Sequence, residues 1–532
     1  MTIRTGDPSY RIFTYFNEIT EDVVSVTVTW GYVESTCTIT ISNKNNKYIL
    51  TKENVEDGIW TEDEKVKRDI YSMKKDYQVK GQPVYDLFES ECIFHCGDPV
   101  KVYFKDPYSS QWWKSFSGYF TPVTDSYDSQ SDKFVISLRC EDTKRWIRQT
   151  RLGIGVYGGK GPLDYATPDE QQNNVITTVF QNLPAGITLE EIFIWLILGT
   201  PPESLSVGGT VPSSISRAGN FLNSDVQYVK DKSQFVSIQS NIINSLKINY
   251  EDIESDGLTY GWSEAGLLSV DGTLRMILPE FFKDFRAINP LNIITQVGYR
   301  DEYRDRLAIL QDYAELLNFL FYTLPNGDII LEFPQYDLVP ADYGDELKEI
   351  FTVSENEVST WDITEDDSNV QTAWFVTGTI SQWFQKTDAS AELSGLLGMA
   401  VRESLVPRFG WKVMQTNHPI VATQEGAELI ANTLLNKSFV DAKSMSIKAS
   451  LKIPVCPGRP YRVYGRNYMG FCTSVTHTIT WARQASSSIA LGYLRGWNRD
   501  KQMWTAIGGD SVGRLGSMDY GEAFGSGRNE KE

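Results

Sequence analysis

Histidine is nearly absent: three stand in 532 residues. That leaves little for acid–base chemistry of the usual kind. Basic residues are outnumbered, 50 Lys and Arg against 69 Asp and Glu, for a formal net charge of −19. An outer surface of this balance does not grip a phosphate backbone, because that needs clustered cations. Cysteines number six, and Cys37, Cys92, Cys96, Cys140, Cys456 and Cys472 show no framework spacing. They read as free thiols made in a reducing compartment. Long apolar runs are missing too. The most apolar one, IFIWLIL from Ile192 to Leu198, has seven residues, against ~20 for a membrane span. The opening MTIRTGDPSYRIF has no continuous apolar segment of the secretory kind. The expectation is a soluble product of the cytoplasm, carried elsewhere only by assembly.

The motifs that carry chemistry fail on context. Gly153-Ile-Gly155-Val-Tyr-Gly158 matches GxGxxG, but GKGPLDY follows, and Pro162 opposes the helix that would face a pyrophosphate. Gly159-Lys160 lacks the hydroxyl residue and leading glycine of a phosphate loop. Cys92, His95 and Cys96 are three soft ligands without the distant second pair of a tetrahedral zinc site. Asp362–Asp367 lacks the spaced oxygens and glycine of a calcium loop. Gly509-Asp-Ser511-Val-Gly513 matches GxSxG, yet every histidine precedes it, against the order of an α/β-hydrolase. Acidic pairs such as Glu190-Glu191, Glu251-Asp252 and Asp366-Asp367 are too common to single out a glycosidase dyad. No catalytic, cofactor-binding or metal residue is nominated, no cofactor is expected, and the chain is not expected to be an enzyme. His477 reads as one rung of a strand.

What is abundant is aromatic and β-branched. There are 14 Trp, 27 Tyr and 25 Phe, which favours sheet over helix. Val24, Val26, Val28 and Trp30 alternate with Ser and Thr, and Ile39 and Ile41 continue in a partner strand. Val100, Val102 and Phe104, then Phe134, Ile136, Leu138 and Cys140, repeat the pattern. Val475, His477 and Ile479, then Ile489, Leu491 and Tyr493, form a hairpin around ARQASSS. These signals predict a mainly β fold with α+β insertions: two antiparallel barrels, a mixed insertion and a connector. Residues 1–150 are the first barrel. Residues 151–288 are a mixed insertion whose segment TLEEIFIWLILG is a buried apolar helix, with Thr188 and Glu191 at capping-box spacing. Residues 289–350 are a connector, a helix with Leu307, Leu310, Ala314, Leu317 and Phe321 on one stripe and a hairpin turning at Asn326-Gly327. Residues 351–500 are the second barrel, interrupted by a helix with Ala427, Ile430, Ala431 and Leu434 on one face. Residues 501–532 are a glycine-rich, flexible arm.

Gly97-Asp98-Val100, Trp113, Phe116-Gly118 and Leu138-Cys140-Asp142 occur in the order that the first barrel of phage baseplate hubs uses. Arg408-Phe409-Gly410, the helix bearing Ala427 and Ala431, Pro457-Gly458-Arg459-Pro460 and the closing hairpin through His477 and Arg495 resemble that family's second barrel. The chain therefore resembles the baseplate hub proteins of contractile-tailed bacteriophages, with tail-tube-like barrels. The resemblance implies a structural homotrimer in the virion baseplate, its pseudo-sixfold ring joining the sixfold tail tube to the threefold central spike. It implies contacts with a tail tube or tube-initiator protein, the spike, baseplate wedges and the tape-measure protein. DNA would pass through the channel without specific binding, and no membrane would be involved. An acidic channel wall is one expectation of the charge balance. The rival reading is a carbohydrate-binding or cell-wall-degrading tail protein.

Overall fold

The computed structural model describes residues 9–14, 18–44, 47–49, 92–128, 133–149, 223–258, 273–280, 306–336, 338–378, 397–418, 424–440, 442–463, 468–480 and 485–498, with short pieces at 78–79, 82–83, 193, 197, 261–262, 268–269 and 503–506. The glycine-rich loop at 153–161, the motif at 509–513 and the arm beyond 506 lie outside them. Among the described residues, no helix is long and apolar enough to cross a membrane.

Period-2 alternation produces the long strands of the N-terminal region. They are β1 (Tyr10–Thr14), β2 (Val23–Gly31), β3 (Thr36–Ser42), β4 (Pro99–Lys105), β5 (Trp112–Asp128) and β6 (Lys133–Glu141). In β2, Val26, Val28 and Trp30 turn inward and are buried, as the alternation predicts. Val24 departs from it. A bulge between Val23 and Ser25 buries Val23 instead and leaves Val24 40% exposed.

The middle of the chain builds β7 (Asn223–Val229), α1 (Lys232–Asn244), α2 (Tyr250–Leu258), β8 (Thr273–Pro279), α3 (Arg306–Leu316), β9 (Leu320–Thr323) and β10 (Ile329–Glu332). The strands form one mixed sheet in the order β9–β10–β8–β7. Its apolar runs are nearly continuous because both faces are covered. Leu320, Tyr322 and Ile330 enter the core of the large sheet, while Phe321, Ile329 and Leu331 enter a second core. That second core also holds Phe193 and Ile197, so these two residues of the apolar segment are buried as expected. Phe321 belongs to β9; the helical stripe stops before it.

The C-terminal region supplies β11 (Val358–Glu365), β12 (Ala373–Gly378), β13 (Leu397–Val401), β14 (Val413–His418), α4 (Gln424–Val440), β15 (Lys443–Ser450), β16 (Pro460–Val463), β17 (Tyr468–Thr480) and β18 (Ala485–Asn498). Helix α4 lies on the small sheet β13–β12–β14. Gly398 is what lets it approach, since a Cβ there would stand 2.1 Å from the Ala427 backbone.

The two β regions form one sheet. β2 pairs antiparallel with β17, from Ser25 opposite Thr480 to Gly31 opposite Ser474. The principal wall therefore runs β5–β6–β3–β2–β17–β18–β15–β11, antiparallel throughout. β5 serves two layers. Its first half pairs with β4 and folds over the core with β1; past a bulge between Phe120 and Val123 its second half runs beside β6 alone.

Candidate functional site

The motif residues act in folding the wall. Gly97 takes φ of +99°, which favours glycine. Asp98, buried beside it, accepts the His95 backbone N–H at 2.9 Å. A Cβ on Gly118 would meet the Glu141 carbonyl at 2.2 Å and the Phe116 ring at 2.8 Å, which accounts for the Phe-x-Gly pair. Leu138 and Cys140 enter the core, and Asp142 closes the turn by accepting N–H groups of Ser35 at 3.1 Å and Lys144 at 3.0 Å.

His477 sits 1% exposed on β17. Its Nδ1 lies 2.8 Å from Ser487 Oγ, and its ring makes edge contacts with Trp30 and Phe104 at 6.3 Å each. A Ser–His pair this enclosed has no access to a substrate, so the histidine is a cross-strand packing residue. Among the described residues, no cluster of His, Cys, Asp or Glu could hold a metal ion.

Two buried groups give the fold opposing pH responses. Burial pushes the Asp98 carboxyl up to about 7 from an ordinary 3.8, against the lowering effect of the His95 N–H. The native state then holds a proton that the unfolded chain has lost, and stability falls as pH rises from 3.8 towards 7. Burial pushes the His477 imidazole down to about 3 from 6.5. Here the unfolded chain holds the extra proton, and stability falls as pH drops from 6.5 towards 3. The slopes oppose each other between about 4 and 6.5. Asp98→Asn is expected to expose the histidine slope, giving a urea midpoint that rises across that window, worth up to about 3 kcal/mol. A D98N profile as flat as the parent's there would contradict this assignment.

The candidate site is the outward face of the wall. At its centre stand Thr36, Thr38, Thr40 and Ser42 on β3; Ser25, Thr27 and Thr29 on β2; Ser474, Thr476, Thr478 and Thr480 on β17; and Ser486, Ser488 and Ala490 on β18. Each is half-buried or exposed, and none is charged. Across the join between the N- and C-terminal regions, the hydroxyls of Thr29 and Thr476 lie 3.0 Å apart and those of Thr27 and Thr478 3.4 Å apart. On the flanking strands the charges balance, with Arg139 and Glu141 on β6, Lys448 on β15 and Asp362 on β11. The chain's net charge of −19 is therefore not carried by this face, which is neutral and hydroxylic.

Among the described residues, both sides of the wall are open. β11 pairs with β15, and no other described strand pairs with it. Thr360, Asp362, Ile363 and Thr364 on it are exposed. At the far side, β4 stops opposite Tyr119, so from Pro122 to Ser126 no described strand lies outside β5. Unpaired edges of this length are templates for another chain. The wall counts eight antiparallel strands with both edges included, so β11 runs opposite to β5, and joining β11 of one copy to β5 of the next preserves the alternation.

The fold and the site together define a mainly β protein built around an open-edged antiparallel wall. No family model matches the chain, and no curated protein matches it. Among solved structures it is similar to the 43 kDa tail protein of prophage MuSo2 from Shewanella oneidensis, with 9% identity, a TM-score of 0.46, and 91% of this chain and 97% of that one covered. It is similar also to a tail protein from Neisseria meningitidis MC58, with 9% identity, a TM-score of 0.43 and coverages of 91% and 96%. Prophage tail protein gp18 from Listeria monocytogenes EGD-e gives 10% identity, a TM-score of 0.39 and coverages of 91% and 94%.

Proposed function

We propose that the chain is a structural hub of a phage tail baseplate, and that three copies close their walls into one tube around the DNA channel. The observation that carries this is the wall itself: eight antiparallel strands with two edges that no described strand pairs and a neutral face. A head-to-tail interface forms a ring if its rotation closes, and an even strand number allows closure without a parallel pair.

The bore sets the number of copies. Three copies give twenty-four strands, a circumference of ~115 Å at ~4.8 Å per strand and a backbone diameter of ~37 Å with upright strands. Side chains take ~5 Å from each side, leaving ~27 Å. Two copies leave ~14 Å upright and ~20–25 Å at the usual tilt, little more than the ~20 Å of a bare duplex. Three is the smallest ring that passes hydrated DNA whatever the tilt. Each wall divides at the β2–β17 join into two four-strand blocks, so three copies present six blocks to a sixfold tail tube and keep threefold symmetry for a central spike.

The hydroxyl face suits the bore. With no clustered cations, the lining releases few counterions on meeting a phosphate backbone and leaves DNA free to slide. The partners of this reading are the tube or tube-initiator protein at one end and the spike at the other, with wedge and tape-measure proteins around and within, and no enzymatic step is required of the chain. Light scattering after size exclusion tests it. The expected mass is three times 60.3 kDa. A monomer that releases sugar from peptidoglycan would contradict it in favour of a wall-degrading protein.

A further inference from the structure

The small sheet β13–β12–β14 has one face under α4 and no described element over the other. Val376, Ala400 and Gly398 face the helix and are buried. On the opposite face Met399 is 56% and Val413 54% exposed, beside half-buried Phe375. Trp411, just before β14, is 63% exposed. Large apolar side chains grouped on a sheet face mark an interaction surface.

The position of this face identifies what covers it. Trp411 stands between two residues that anchor its loop to the end of β11. Arg408 reaches Glu365, the last residue of β11, at 3.2 Å, and Lys412 Nζ donates to the Asp367 carbonyl at 2.8 Å. The Asp366 N–H donates to the Ala442 carbonyl at 2.8 Å, tying the same corner to the start of β15. The indole is thus held at the foot of the open edge where the ring reading seats the next copy.

The geometry points to a second copy of this chain as the occupant: Trp411, with Met399 and Val413, is the apolar half of the subunit contact whose polar half is the β11 edge. This inference rests on the ring reading. Area supports the combination. Three strands of about five residues present only ~250 Å², far below the ~800 Å² per partner of a stable interface. The face therefore acts together with the adjoining strand edge. Subunits each carrying −19 also repel one another, and burial of an uncharged patch offsets that repulsion.

Sedimentation equilibrium of the full chain tests the contact, with Trp411→Ala and Met399→Glu compared with the parent. Both side chains are exposed in the monomer, so both variants are expected to keep the parent's monomer unfolding midpoint. Their trimers are expected to dissociate at least ~30-fold more readily, the scale of a tryptophan hot spot. Amide exchange at residues 411–413 is expected to slow in the parent's trimer relative to its diluted monomer. A parent trimer that neither variant weakens would overturn the assignment of this face and leave the ring intact. A parent that stays monomeric at every concentration would overturn the ring reading and this inference with it.

Discussion

Arg459→Met is expected to remove about 3–5 kcal/mol of stability, the usual cost of stranding one member of a buried ion pair. Arg459 and Glu332 are both fully buried, with Nη1 2.8 Å from Oε1. The other Arg459 Nη donates to the Tyr322 hydroxyl at 2.9 Å, and Gln239 donates to the second Glu332 oxygen at 3.1 Å. Tyr343 closes the network by donating to Gln239. Gly458 is required beside it, with φ of +78° and a hypothetical Cβ only 2.9 Å from the Glu332 carboxylate. The network pins the mixed sheet to β16 and β17 of the large sheet. Because an apolar replacement of a whole pair is often neutral, Arg459→Met with Glu332→Met is expected to recover more than half of the single-variant loss. Urea unfolding of both variants checks this. Equal losses in the single and double variants would show that the hydroxyl and amide partners, and not the stranded charge, set the cost.

Replacing Thr27, Thr29 and Thr476 by lysine is expected to turn a non-binding bore into a DNA-binding one. Three copies would place nine new cations on the central strands. The parent ring is expected not to retard a linear duplex, whereas the variant ring holds it, with affinity falling about a thousandfold between 50 and 200 mM salt. A covalently closed circle cannot thread a preformed ring, so the variant is expected to hold linear DNA and leave the circle free. Equal retention of both forms would place the hydroxyl face on the outside of the particle and contradict the channel assignment.

Local order was legible in the sequence. The alternation of Val475, His477 and Ile479 with threonines, and of Ile489, Leu491 and Tyr493 with small residues, marks the hairpin that the structure contains. The helix stripe through Ala427 and Ala431 likewise became α4. What alternation cannot report is which distant strands meet. Pairing of Val28 with His477 joins positions hundreds of residues apart, and nothing in either strand names the other. The same limit hid the Glu332–Arg459 pair, whose members lie 127 residues apart. Net charge could not report this face for a different reason. It averages over the whole surface, while the centre of the wall uses every second residue of a few strands, and nearly all of those positions are Thr or Ser. Read at period 2, TVTW and TITI already hold that neutral face, but the outward residues become a surface only once β2 and β17 are side by side.

Electron cryomicroscopy of the purified assembly tests the central claim most directly. The expected particle is a closed threefold ring in which β11 of each copy pairs antiparallel with the second half of β5 of the next, and Thr29 and Thr476 face a bore wide enough for duplex DNA. A threefold particle with those edges unpaired, or with the threonine face turned to the outside, would contradict it.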